Sequence, residues 1–197
     1  MVNLPTLLLV AAVGYLLGSF PSGIVVVRFW KGKDLRRIGS GHTGGMNVRR
    51  VAGLLPSVLA VLGDGAKAIV AVRLAEILGP QPWAVPVAGT TVVVGHCWPL
   101  YTRFHGGMGL GSAAFILLYL SPVSLLGLVV VWPFWYLVLR HRYRASVATV
   151  LSAPVVLWIT GDSAPMVALG LAIGIVISVR HIPTLGRSTA DLPTRRA

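Results

Sequence analysis

The segment Gly39-Ser40-Gly41-His42-Thr43-Gly44-Gly45-Met46-Asn47 is the first place in this chain where residue types and spacing suit chemistry. Its glycines let the backbone approach a ligand closely and take positive φ. Successive N–H groups in such a loop form a concavity that suits an anion. Arg36, Arg37, Arg49 and Arg50 flank it, and guanidinium groups match phosphate oxygens. Anion binding is therefore favoured over a plain cytoplasmic loop with topology-setting arginines. A second segment, Phe104-His105-Gly106-Gly107-Met108-Gly109-Leu110-Gly111-Ser112, runs straight into an apolar stretch. Backbone N–H groups at a helix N-terminus there would face a bound anion, and a glycine hinge is the plainer alternative. It is not a Walker loop, because the Lys-Ser/Thr ending is missing.

Other polar residues stand inside apolar surroundings. Asp64 and Lys67 lie three apart, on one face of a helix, where a packing ion pair and a functional role fit equally well. His96 precedes Trp98-Pro99 and reads more readily as a structural hydrogen-bonding residue. His181 follows Arg180: an imidazole titrates near neutrality and suits a base, and the arginine suits an anion, while a plain interfacial residue is the commoner reading of such a histidine alone. No HxxxxD or HExxH pattern occurs, and the chain has only five acidic residues. Metal clusters built on several carboxylates are thereby poorly supplied, and the single cysteine, Cys97, excludes a disulfide within the chain.

These residues must be positioned by membrane helices. Hydrophobic residues make up 55% of the 197 and charged ones 11%, with a mean hydropathy of +0.81. A soluble domain needs about twice that charge. The expected fold class is all-α: a polytopic integral membrane protein with about seven transmembrane helices in a single domain over 1–197. The expected spans are Leu4–Val27, Val51–Leu78, Trp83–Tyr101, Leu110–Leu120, Val123–Leu139, Ser146–Ile159 and Ala164–Val179. The fourth and sixth are short. Gly14–Gly18 and Gly170–Gly174 suit close helix packing. The apolar run at the N-terminus lacks a basic start and is too long for a cleaved signal peptide.

Charge fixes the orientation. Lys and Arg number seven in 28–50, one in 103–109, three in 140–145 and four from Arg180 onward, while Lys67 and Arg73 lie within the second span. The turns Gly79-Pro80-Gln81-Pro82, Ser121-Pro122 and Gly161-Asp162-Ser163 carry none. Basic loops stay in the cytoplasm, so the N-terminus is expected outside and the C-terminus inside. The net charge of +12 then reads as topology and contact with anionic lipid, not nucleic-acid binding.

The order of the segments resembles the acyl-phosphate-dependent glycerol-3-phosphate acyltransferase family (the PlsY family of bacteria). Three places carry the likeness. One runs from Gly18-Ser19-Phe20-Pro21-Ser22-Gly23 through Asp34-Leu35-Arg36 and the 39–50 loop, with Asp64-Gly65-Ala66-Lys67 beyond. Another is Gly95-His96-Cys97-Trp98-Pro99 with Phe104–Gly109, and the last is Arg180-His181. Ser146-Val147-Ala148-Thr149 also looks like the family's serine-containing start of the sixth helix.

The resemblance implies a multi-pass enzyme of the bacterial inner membrane with its active site facing the cytoplasm. It would move a fatty acyl group from acyl phosphate to glycerol 3-phosphate, giving lysophosphatidic acid without metal or organic cofactor. Ser40 and His181 would be catalytic. Arg36, Asn47, Arg50, Lys67, His96, Gly106, Gly107, Gly109 and Ser146 would bind substrate or phosphate. The chain departs from the family's usual pattern at Met108, where a Lys is usual, and at His42 and Met46, where Asn and Thr are usual. After His181, Pro183, Thr184 and Leu185 replace a stretch with an Asn, and no later Glu follows. Losing one charged contact costs on the order of 1.5–3 kcal/mol. A non-catalytic binder of lipid or acyl phosphate is one alternative. A small transporter is another, disfavoured because no inverted repeat is visible. Acyl chain length and oligomeric state are left open.

Overall fold

The computed structural model describes residues 3–79 and 81–186; Pro80 of the expected turn and the tail residues Arg187, Arg195 and Arg196 lie outside the described residues. Its regular structure is helical: α1 Leu4–Gly18, α2 Ser22–Lys31, α3 Gly45–Ala52, α4 Leu54–Leu78, α5 Ala84–Cys97, α6 Leu110–Leu120, α7 Pro122–Leu139, α8 Arg142–Ile159 and α9 Ala164–His181. Single 3-10 turns follow at Leu35–Arg37, Leu100–Thr102 and Ile182–Thr184.

Several expected boundaries are corrected. The first span is two helices, because Pro21 lacks an N–H and disfavours helical backbone at the residue before it. The second span starts late: Gly53, at φ 96°, separates α3 from α4. The third ends at Cys97 and not Tyr101, and the sixth begins at Arg142, not Ser146. The seventh continues through His181, so that histidine is the last residue of a helix and not the first of a tail.

Four stretches are long and apolar enough to cross a membrane: Leu4–Lys31, Leu54–Leu78, Pro122–Leu139 and Ala164–Thr184. On α7, Val123, Leu126, Val130, Phe134 and Leu137 are all exposed, a surface that suits lipid and not water. The core joins α4, α5, α6 and α9 through Val72, Val92, Val93, Ile116, Leu169, Ile173 and Ile177.

In lipid there is little hydrophobic drive between helices, so close packing must hold them together. The two glycine pairs do this. A Cβ on Gly18 would run into the Val92 backbone, and Gly95 faces Tyr15 and Ser19, so α1 and α5 touch backbone to backbone. Gly170 and Gly174 receive Leu157 and the Val150 carbonyl of α8. Polar ties close the turns. Ser121 and Ser124 Oγ donate to Asp162 Oδ2 at 2.8 and 2.5 Å, and Asn3 N–H donates to Gln81 Oε1 at 3.0 Å.

Helices α5 and α6 have 14 and 11 residues, or about 21 and 16 Å at 1.5 Å per residue. Neither reaches across a hydrocarbon layer of about 30 Å. The backbone between them, residues 98–109, finds hydrogen-bond partners within the protein, among them Ser19, His96 and Arg180.

Gly18→Leu is expected to lose about 1–3 kcal/mol or more by overpacking against α5. Thermal unfolding in detergent, with Gly186→Ala as a control at an open position, measures this; equal melting temperatures would refute the backbone contact.

Candidate active site

A cavity of about 310 Å³ lies where the basic loops meet, lined by residues from 40–50, α4, the end of α5, the start of α6, α7, α8 and the end of α9. Its first wall is the 39–47 loop, which is shaped by one side chain. Asn47 Oδ1 accepts the Ser40 N–H at 2.9 Å, and Nδ2 donates to the carbonyls of His42 and Ile38 at 2.8 and 3.2 Å. Asn47 is buried. Gly39 has φ 60°, and a Cβ there would strike Asn47 Oδ1, so the loop requires glycine twice over. The result places Ser40, His42, Met46 and, on the last turn of α3, Arg50 on the cavity wall. Asn47 lines it too, with its amide hydrogen-bonded within the loop.

Arg36 is also corrected. Its guanidinium grips Asp34 through both carboxylate oxygens, the shortest contact being 2.7 Å. The hydrogen bonds from Arg36 hold the Asp34 carboxyl at about 2. The pair is thus fully formed at neutral pH, and Arg36 is not on the cavity wall.

The floor is built on Asp64. Its carboxylate meets Lys67 Nζ at 2.8 Å and stands 3.3 Å from His96 Nδ1. All three side chains are buried. Lys67 also donates to the Phe20 carbonyl at 2.8 Å, supplying the partner that the α1–α2 break leaves wanting. Lys67 is thus consumed internally and does not line the cavity, against the expectation that it binds substrate; Asp64 and His96 do line it.

The 104–109 loop packs on His96. Gly107 N–H donates to the His96 carbonyl at 3.1 Å, and a Cβ on Gly107 would strike His96 Nε2. Arg180 closes the loop from behind, Nε donating to Gly107 O at 2.8 Å and Nη2 to Gly106 O at 2.9 Å. The two glycines thus sit behind the wall as buried structure, not on it as expected. Met108 and Gly109, the latter at φ 86°, form the wall. Arg180, read as an anion holder, serves carbonyls instead.

His181 also lines the cavity. It is 1% exposed, and Nδ1 lies 2.8 Å from Ile177 O. A carbonyl only accepts, so Nδ1 carries the proton and Nε2 is left as the basic nitrogen. Beside it come Tyr143 and Ser146 of α8. Ser146 Oγ donates to Arg142 O at 3.0 Å and accepts the Trp132 indole N–H at 3.2 Å.

The structure therefore brings together Ser40, Asn47, Arg50, His96, Gly109, Ser146 and His181, and keeps Arg36, Lys67, Gly106 and Gly107 off the cavity wall. Sequence reasoning missed Arg142, Tyr143 and Trp132. Arg142 was visible only as a topology charge, and Trp132 only as one more apolar residue of a span. Two guanidiniums, Arg50 and Arg142, and three histidines face a space whose one carboxylate is already matched. Such a site draws phosphate. Among the described residues no three His, Cys, Asp or Glu side chains are grouped to hold a metal ion. Next to the cavity, sharing Leu110 and Trp132 with it, an apolar groove of about 170 Å³ runs between α6, α7, α8 and α9.

Two expectations follow. Asn47→Ala should release the loop and speed tryptic cleavage after Lys33, Arg36 and Arg37; an unchanged digestion rate would contradict its positioning role. Asp64→Leu should cost about 3–5 kcal/mol by stranding buried Lys67. The double change Asp64→Leu with Lys67→Met should recover much of that in detergent melts, and an additive loss would show that the pair is not coupled.

The family model described as glycerol-3-phosphate acyltransferase matches residues 8–191. A glycerol-3-phosphate acyltransferase of Rubrobacter xylanophilus is 38% identical over 88% of this chain and 86% of its own. One from Synechococcus sp. (strain JA-3-3Ab) is 37% identical over 95% and 92%. The crystal structure of PlsY (YgiH), an integral membrane glycerol 3-phosphate acyltransferase, superposes in its glycerol 3-phosphate form with a TM-score of 0.80 at 30% identity, covering 95% of this chain and 94% of that one. Its lysophosphatidic acid form gives 0.78 at 28% identity over the same shares. With the family match running through every segment that builds the cavity, this chain belongs to the glycerol-3-phosphate acyltransferase family.

Proposed function

We propose that this protein transfers a fatty acyl group from acyl phosphate to the hydroxyl of glycerol 3-phosphate, at the cytoplasmic face of a bacterial inner membrane. The observation that carries the reading is the meeting of Ser40 and Arg50 with His181, remote from both in sequence, on one cavity that adjoins an apolar groove. A substrate with a phosphate head and a fatty tail needs both compartments.

In this reading the hydroxyl oxygen of glycerol 3-phosphate attacks the acyl carbonyl. An ester C–O bond forms, the C–O bond of the mixed anhydride breaks, and inorganic phosphate leaves. The hydroxyl proton passes to His181 Nε2 and from there to the departing phosphate. Ser40, at the mouth of the glycine loop, hydrogen-bonds the reacting oxygens. Arg50 holds the phosphate of glycerol 3-phosphate. Phosphate is already a good leaving group, so the chemistry asks chiefly for two anions held in register and for stabilised developing charge. Asn47, Arg36, Lys67, Gly106 and Gly107 act behind the wall, by fixing the loops.

The same reading takes α1 with α2, then α4, α5, α6, α7, α8 and α9, as seven membrane segments in one domain, α5 and α6 being too short to cross unaided, with the N-terminus outside. The basic connections meet at the cavity, which supports placing that end in the cytoplasm. Membrane lipid is then both the solvent of the acyl groove and the reservoir of the donor.

Purified protein given palmitoyl phosphate and radiolabelled glycerol 3-phosphate should form lysophosphatidic acid. His181→Gln should lower kcat about 10²–10⁴-fold, the usual weight of a general base, and Ser40→Ala should abolish most turnover. No product from folded wild-type protein would replace this reading with a non-catalytic lipid-binding one.

A further inference from the structure

We propose that Arg142 holds the phosphate of the acyl donor, and so the leaving group, while Arg50 holds that of the acceptor; this rests on the acyl-transfer reading above. Three cavities converge at the α7–α8 corner. One is the catalytic cavity, and the second is the apolar groove. The third is a basic vestibule of about 630 Å³ lined by Met46, Trp132, Tyr136, Arg140, His141, Arg142, Arg144 and Gly186. Trp132 belongs to all three, and Arg142 to the catalytic cavity and the vestibule. The residues shared by the groove and the catalytic cavity, Leu110 and Trp132, mark the place where a fatty chain must turn into its head group.

A cation for that head group must stand beside this mouth, and Arg142 does. Trp132 donates to Ser146, which donates to the Arg142 carbonyl, so the mouth and the arginine are joined by a short hydrogen-bonded chain. The guanidinium lies 4.9 Å from the Tyr143 ring centroid, a contact that orients it without neutralising it. It makes no ion pair among the described residues. The glycine loop contributes Met108 at this cavity, and a thioether cannot pair with phosphate. Arg50, on α3, lines the catalytic cavity and neither of the other two. Of the neighbouring arginines, Arg140 and Arg144 line only the vestibule, and Arg144 Nε is engaged with Leu185 O at 3.3 Å. Arg50 lines the catalytic cavity alone, whereas Arg142 also borders the vestibule that shares Trp132 with the groove, so the assignment that places the acyl tail in the groove gives the donor phosphate to Arg142.

Initial rates with both substrates varied test this. Arg142→Gln should raise KM for palmitoyl phosphate about tenfold to hundredfold, the loss expected of one charged contact. KM for glycerol 3-phosphate should change by less than about threefold, since Arg50 keeps that contact. Inhibition by inorganic phosphate against palmitoyl phosphate should weaken by the same factor as the donor KM. Arg142→Lys, which keeps the charge and loses the two-pronged geometry, should give a smaller rise in the same constant, and it decides the matter should the Gln variant fail to fold. A rise mainly in KM for glycerol 3-phosphate, or a fall in kcat with both KM values unchanged, would overturn the assignment. Wild-type protein without turnover would sink the acyl-transfer reading itself, whereas active wild type with unaltered donor KM in both variants would sink only the role of Arg142.

Discussion

The carboxylate of Asp64 is the point on which this architecture turns. A buried charge is tolerable only when it is paired and hydrogen-bonded, and here the partners come from three parts of the chain. Lys67, one helical turn along α4, neutralises Asp64 and uses another proton on the Phe20 carbonyl. His96 stands on the other side at the end of α5. The α1–α2 break, the middle of α4 and the end of α5 are thereby held in one register. Because Gly107 rests on His96, the glycine loop inherits its position from the same group.

The irregular backbone at the site obeys the rule that buried N–H and C=O groups need partners. Two helices stop short, and the irregular segment between them survives because His96 and Arg180 occupy its polar groups. A cavity is the geometric consequence. It meets an apolar groove at Leu110 and Trp132, and its polar end meets the basic loops. A reaction joining a lipid-borne donor to a water-borne acceptor needs that meeting of phases.

The cations divide into two kinds. Arg36, Lys67 and Arg180 are engaged by Asp34, by Asp64 with Phe20, and by the glycine-loop carbonyls. They hold backbone in place and present little free charge. Arg50 and Arg142 face the cavity and keep theirs. The substitution of Met108 in the glycine loop thus leaves a site whose positive charge comes from the α3 and α8 walls.

The sequence by itself determined the helical, membrane-embedded class, the glycine pairs that close α1 on α5 and α8 on α9, and the segments from which the site is made. These are local properties: hydropathy along a stretch, φ freedom at a glycine, small residues at helical spacing. It also pointed to Ser40, Arg50 and His181. It did not determine which polar residues face the cavity. Asn47, Arg36 and Lys67 carry the right groups for a phosphate, but each is captured by a neighbour a few ångströms away. Gly106 and Gly107 lie behind the wall, not on it, because their carbonyls face Arg180. Arg142 and Trp132 acquire meaning only because α7 and α8 bring them to the junction of three cavities. Residue type and spacing set what a side chain is able to do, whereas the distance to its nearest competitor decides what it is free to do, and only tertiary packing fixes that distance.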